Sequence, residues 1–409
     1  MIFKNSTPNG KSYPGESRQS ERFSYLNFVS FVIGSAALLA TIWIIIPAPI
    51  YNIWLFSVLA SEWSFGFGCF ALVGIICALF SRLKNKSRKW ITAFSINFAA
   101  LLISLYPFFS AYQATQSNVS LSFGEYFSGF KKNDSKIEFS TFQFADINGN
   151  ELNADVYAPP VGTNKNGAGI IVVHGGSWGG GERGDFPQWN RWLAEQGYVV
   201  FDIDYRLAPQ PNWQAATGDV KCAVARIRHT AAEFGISPDR LALLGRSAGG
   251  QLSLLAAYSK GDPRFPASCL AVESQTVRAV ISFYAPTDLI WGFDNPANRA
   301  VIDGRGTLSR FLGGNPHESD EIKNRFRAAS PVNQVSGETP PTLLIHGGQD
   351  QLVRDENMYF LADKLSANRV PHRVIFIPYA QHGFDYNFKG WGAQVVKPQI
   401  LEFLREHTK

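Results

Sequence analysis

From Tyr25 to Ser61 the chain carries no charged residue. That constrains it more than anything else in the sequence. Leu26 to Ile46 (LNFVSFVIGSAALLATIWIII) is long enough to cross a hydrocarbon core, which takes roughly 20 residues of helix. Pro47-Ala48-Pro49 then interrupts it, and two more apolar runs follow at about 63–81 and 90–110. Trp43, Trp54, Trp63, Trp90 and Tyr106 fall near the ends of these runs, where amphipathic rings favour the interface. A cleaved signal peptide has a core of about 7–15 residues and no further spans behind it, so residues 1–112 read as a membrane anchor of three transmembrane helices.

Charge follows the same division. Residues 1–112 hold nine Lys/Arg against three Asp/Glu, whereas the remaining 297 residues hold 29 against 30. A near-neutral C-terminal part has no basic face for phosphate, which argues against nucleic acid as a partner. The bases themselves cluster in the tail (Lys4, Lys11, Arg18, Arg22) and in the loop SRLKNKSRK, and the loop between the first two runs has none. Positive-inside logic places tail and basic loop in the cytoplasm, and an odd number of spans puts everything beyond residue 112 on the other side.

Residues 113–136 read as a polar linker near the membrane. From residue 137 to 409 strand-like and helix-like patterns alternate, beginning with a hairpin around Asn148-Gly149. Several short runs, such as GIIVV and LALLG, are continuously apolar, as in strands buried on both faces of a parallel sheet. The expected class is α/β. Residues 291–327 fit no strand–helix unit and read as a cap or lid over the sheet.

Gly245-Arg246-Ser247-Ala248-Gly249 fits G-x-S-x-G between a strand and a helix. Such a turn strains the serine backbone, needs small residues two places before and after, and presents the hydroxyl at the carboxyl edge of the sheet. A plain helix N-cap serine would give the same letters. Upstream, His174-Gly175-Gly176-Ser177-Trp178-Gly179-Gly180-Gly181 follows strand GIIVV and could turn backbone N–H groups toward a developing oxyanion. The candidate donors are Gly175, Gly176 and Ala248. A phosphate cradle is disfavoured because the lysine of the P-loop pattern is missing. Serine becomes nucleophilic when a histidine takes its proton and a carboxylate fixes that histidine. Asp350, after the strand in LLIHGGQD, and His382, after the strand in IFIPYAQHGF, follow Ser247 in the Ser, Asp, His order, each at a strand carboxyl end. Asp288 ranks second as the acid, while His346 and His372 fit less well as the base.

VVHGGSWGGG, DYRLAP, GISPDRLALLGRSAGGQLSLLAA, AASPV, PTLLIHGGQD and QHGF together resemble α/β-hydrolase esterases, both the hormone-sensitive-lipase-like carboxylesterases and the bacterial feruloyl-esterase-like domains. The resemblance spans about residues 137–409. It implies an eight-stranded, mostly parallel sheet with Ser247 as nucleophile, Asp350 as orienting acid and His382 as base. Arg246 sits at the variable position beside the serine, and Ser177-Trp178 stands in place of the third glycine of HGGG. Trp178, Arg246 and Trp291 are candidate pocket residues.

The expected function is therefore a membrane-anchored serine hydrolase of small-molecule or lipid carboxylic esters, working through an acyl-enzyme. A peptidase or amidase on the same scaffold, and a non-catalytic binding module, are the alternatives. No metal or cofactor is expected, since the seven histidines are scattered and no C-x-x-C or H-E-x-x-H occurs. Cys222 and Cys269 could pair outside the cytoplasm or remain buried free thiols.

Overall fold

A computed structural model describes residues 14–83, 88–115, 119–129, 138–269 and 274–409, with side chains from residue 25 onward. Lys4, Lys11, Lys84 and Lys86, on which the orientation partly rests, lie outside the described residues, as does much of the expected linker. The chain forms two compact units. One holds the residues up to Ile46 together with Leu59–Pro107, and the other holds Pro47–Val58 and Phe108–Lys409.

The first unit is built from helices α1 (Pro14–Thr41), α3 (Ser64–Arg82) and most of α4 (Lys89–Ala114), whereas α2 (Tyr51–Glu62) is divided, its residues up to Val58 belonging to the second unit. Tyr25–Ile44, Ser64–Arg82 and Lys89–Ala114 are long and apolar enough to cross a membrane. Their inner seams use small residues, as lipid-embedded helices do when backbones must approach closely. Asn97 Nδ2 donates to the carbonyls of Ser30 (2.9 Å) and Ala93 (2.8 Å), and Ser30 Oγ donates to Gly74 O (2.7 Å). A Cβ on Gly74 would lie 1.8 Å from Asn97 Oδ1. Outward, Phe28, Leu39, Phe70, Val73 and Leu102 are exposed, far more apolar surface than a water-facing bundle presents.

In the second unit a short helix, α5 (Phe123–Ser128), precedes the hairpin strands β1 (Ser140–Ile147) and β2 (Asn150–Tyr157). There follow β3 (Gly169–Val173), α6 (Pro187–Glu195), β4 (Val199–Ile203), α7 (Trp213–His229), β5 (Leu241–Arg246) and α8 (Ala248–Tyr258). Next come β6 (Ala279–Phe283), α9 (Leu289–Asp294), α10 (Gly304–Leu312), α11 (Asp320–Ala329), β7 (Thr342–Gly347), α12 (Glu356–Ala367), β8 (His372–Ile377) and α13 (Trp391–His407). The strands form one eight-stranded sheet in the order β1-β2-β4-β3-β5-β6-β7-β8. β2 runs antiparallel to both neighbours, and every pair from β4 through β8 is parallel. This is the α/β-hydrolase arrangement. Strands β3 to β7 are buried along their whole length because helices cover both faces, which is why their sequences do not alternate.

Three features go beyond the sequence reading. Part of the expected linker belongs to the second unit: the Tyr126 ring stacks on Trp391 at 4.2 Å and Glu125 pairs with Lys397. The stretch 291–327, expected to form a cap, is largely helical (α9–α11). Cys222 and Cys269 form a disulfide across 47 residues, resolving the two alternatives in favour of pairing.

Candidate active site

Ser247 stands between β5 and α8 with φ 54° and ψ −121°, a conformation strained for any residue with a Cβ. Its N–H donates to Phe283 O of β6 at 2.9 Å, which fixes the turn to the sheet. The small neighbours are a steric requirement. A Cβ on Gly245 would come within 2.2 Å of Gly249 O, and one on Gly249 within 2.2 Å of His174 O. The loop after β3 therefore lies directly against the serine turn.

That loop closes on itself, with the amides of Gly179 and Gly180 donating to Gly176 O. Ser177 and Trp178, which replace glycine, both hold left-handed backbone at φ 56° and 59°. Trp178 compensates through its side chain. Its Nε1 donates to Gln251 Oε1 (2.9 Å), and its ring stacks on Phe311 of α10 at 4.3 Å. His174 stays out of the reacting centre: its ring stacks on Tyr205, and burial pushes its pKa below the ordinary histidine value.

The structure brings Ser247, His382 and Asp350 together from three loops. Ser247 Oγ lies 2.9 Å from His382 Nε2, and His382 Nδ1 lies 2.7 Å from Asp350 Oδ2. Asp350 is buried, and both its oxygens have partners. Oδ1 accepts from the amides of Leu352 (2.8 Å) and Val353 (2.9 Å). Oδ2 faces His382 and also His346 Nε2 at 3.2 Å. Burial pushes the carboxyl's pKa up, but the two imidazoles and their hydrogen bonds outweigh it and hold the group well below the usual carboxylate range. His346, passed over as a base, thus serves as a second partner of the acid. Asp288 caps α9 by accepting from Trp291 N and takes no part in this chain of hydrogen bonds.

A cleft opens at Ser247, walled by Trp178, Ile302, Leu308, Leu352 and Val353, with Arg354 as its cation. Thr307 and Leu308 come from α10, so the excursion over the sheet does help to form it. Of the three candidate pocket residues, only Trp178 lines this cleft. Trp291 turns its ring onto Phe360 of α12, leaving Gly292 at the cleft. Arg246, 1% exposed, points into the protein. Its Nε donates to Asp385 Oδ2 (2.6 Å), and its guanidinium lies over Phe186 at 4.2 Å. Tyr284 Oη donates to the other oxygen of Asp385 (2.6 Å) while its ring sits 4.4 Å from His382. Desolvation and the Asp385 charge push the Tyr284 pKa well above its ordinary value, so it remains a donor. Nothing in the sequence tied Arg246 to a partner 139 positions away. Among the described residues, no group of three or more His, Cys, Asp or Glu side chains could hold a metal ion.

The family model described as BD-FAE matches residues 154–365, just over half of the chain. The chain belongs to the BD-FAE family. Among curated proteins this BD-FAE chain is similar to esterase LipC of Mycobacterium tuberculosis (35% identical over 222 residues, 53% of each chain). It is also similar to esterase LipQ of the same organism (31% over 221 residues, 53% of this chain and 50% of the other). It spans about half the length of the curated relatives it matches. Among solved structures, the butyrate-bound Est2 esterase of Thermogutta terrifontis superposes with a TM-score of 0.53 at 24% identity, covering 66% of this chain and 94% of that one. At that identity the likeness speaks for the fold of the BD-FAE domain.

Proposed function

We propose that this chain is a carboxylic ester hydrolase, anchored in a membrane by its three apolar helices. The observation that carries the reading is the continuous chain of hydrogen bonds Ser247–His382–Asp350, set beside an apolar cleft. Esterase activity in the relatives LipC and LipQ supports it.

Ser247 Oγ attacks the ester carbonyl carbon as its proton passes to His382 Nε2. Asp350, held as a carboxylate, accepts from Nδ1 and stabilises the imidazolium that forms. The oxyanion of the tetrahedral intermediate takes hydrogen bonds from the amides of Gly175, Gly176 and Ala248, at a helix N-terminus that favours negative charge. His382 returns the proton to the departing alcohol, leaving Ser247 acylated. Water, deprotonated by the same nitrogen, then attacks the acyl-enzyme and releases the acid. The apolar walls of the cleft suit a hydrocarbon acyl group.

Purified full-length protein in detergent micelles, assayed on esters of increasing acyl length and on matched amides, tests this. The expected result is ester turnover that Ser247→Ala lowers by at least about a thousandfold. Activity that survives Ser247→Ala overturns the mechanism, and a preference for the amides makes the protein an amidase.

The hydrolase unit belongs outside the cytoplasm on this reading. The Lys/Arg distribution supports that side, and the Cys222–Cys269 disulfide suits an oxidising compartment. Alkaline phosphatase fused after Lys409 should be active in a bacterial host. An inactive fusion alongside a fluorescent cytoplasmic reporter would reverse the orientation.

A further inference from the structure

Pro47–Val58, the stretch between the first two apolar helices, belongs to the second compact unit. Both polar groups of Ala48 are taken by side chains of that unit. Its N–H donates to Gln351 Oε1 at 2.7 Å, and its carbonyl accepts from Asn298 Nδ2 at 2.6 Å. Pro47 and Pro49 have no N–H, so Ala48 supplies the tripeptide's sole amide donor. Asn298 Nδ2 also reaches Gln351 Oε1 (2.8 Å), and Asn298 N donates to Gln351 O (3.0 Å). Gln351 Nε2 then donates to Gln381 Oε1 at 3.2 Å.

Gln351 follows Asp350, and Gln381 precedes His382. The two loops that carry acid and histidine are therefore tied to one another and to Ala48. Ala48, Gln351 and Gln381 are 2%, 7% and 1% exposed, so water cannot readily take over these bonds. Ala48 also packs with Trp54 and Val301 in an apolar cluster that takes in Leu352, a wall of the cleft.

We propose that Ala48 is a positioning residue of the ester-hydrolysing site. Its peptide unit fixes the Gln351–Gln381 bridge, and through it the distance between Asp350 and His382. The inference rests on the reading of Ser247, His382 and Asp350 given above. Proton relays are sensitive to such placement, since a shift of about 1 Å can cost on the order of a hundredfold in rate.

The test uses full-length protein in detergent micelles, with a fluorophosphonate probe counting reactive serines so that rates are per competent site. Ala48→Pro removes the donor, Gln351→Ala removes its acceptor, and Gln381→Leu breaks the bridge from the other loop. Each is expected to lower kcat about tenfold or more, with KM for an acetyl ester changing less than about twofold. Ala48→Gly, which keeps the amide, should recover most of the rate lost in Ala48→Pro. The Ala48→Pro/Gln351→Ala double variant should be no slower than either single one, because both cut the same connection. Labelled variants with wild-type kcat, or losses that multiply in the double variant, overturn the inference. Should Ala48→Pro fail to fold, Gln351→Ala and Gln381→Leu decide the matter alone. A wild-type protein that takes no label would instead overturn the assignment of Ser247.

Discussion

Asp350 and Asp202 are both buried, and the protein treats them in opposite ways. Asp350, in the loop after β7, has both oxygens doubly used, by two amides and two imidazoles. Asp202, on β4, receives Gly184 N (2.8 Å) and Asn190 Nδ2 (2.6 Å) on one oxygen, while the other has no hydrogen-bond partner. Its neighbour across the sheet is Asp155, another acid. Desolvation raises both groups, but at Asp350 the two imidazoles and their hydrogen bonds outweigh it, whereas Asp202 is pushed up to about 7. Burial by itself therefore says little about a carboxyl group's charge. What decides it is how many donors point at the oxygens and whether they carry charge.

Four substitutions would break or sharpen that contrast. The largest effect is expected at Asp350→Asn, which removes the negative charge and disturbs the histidine tautomer. We expect kcat to fall by about ten-thousandfold, ~5 kcal/mol in the barrier, with the protein still folded by circular dichroism. Arg246→Met comes next. It strands buried Asp385 without its cation and should cost about 3–4 kcal/mol of stability in denaturant titration. A smaller loss there would mean that Tyr284 alone satisfies Asp385.

Asp202→Asn should act in the other direction. A carboxyl whose folded pKa is raised from 3.8 to about 7 contributes most below the unfolded value, and that contribution is lost as pH rises through 7. The amide should therefore raise stability at pH 8 by ~1–3 kcal/mol and bring no gain at pH 4, read from melting temperature against pH. An equal gain at both pH values would show that Asp202 does not titrate there. The smallest effect belongs to His346→Leu, which deletes one of the two imidazoles on Asp350. Because the folded pKa of Asp350 is depressed, its contribution is present above the unfolded value and is lost as pH falls through the folded one. Removing His346 should shift acid unfolding to higher pH and cost about 1 kcal/mol.

The parts of the site legible in sequence were those set by local backbone chemistry. Gly245, Ser247 and Gly249 announce a turn too tight for larger side chains. Asp350 and His382 follow apolar strands whose length and order place them on one edge of a parallel sheet. Residues 291–327 stand apart in the sequence because they break the strand–helix rhythm, but helices α9–α11 are not legible there. What could not be read depends on long-range packing. The role of Arg246 depends on Asp385, that of His346 on the path of the Asp350 loop, and that of Trp291 on which face of a six-residue helix meets α12. Ala48 carried no signal at all, since a peptide N–H looks the same in every sequence. The cysteine pairing was open for the same reason: distance along the chain does not encode distance in space.

The hydrogen bond from Ala48 to Gln351 also bears on how the protein could be cut and recombined. It joins positions 303 residues apart, so the second unit is discontinuous in sequence, and its boundary does not fall after the last apolar helix. A chimera that exchanges residues 1–112 for a foreign segment would keep Ser247, Asp350 and His382 and still remove a piece of the compact unit that holds them. The two units are interleaved along the chain, so neither can be exchanged whole by a single cut.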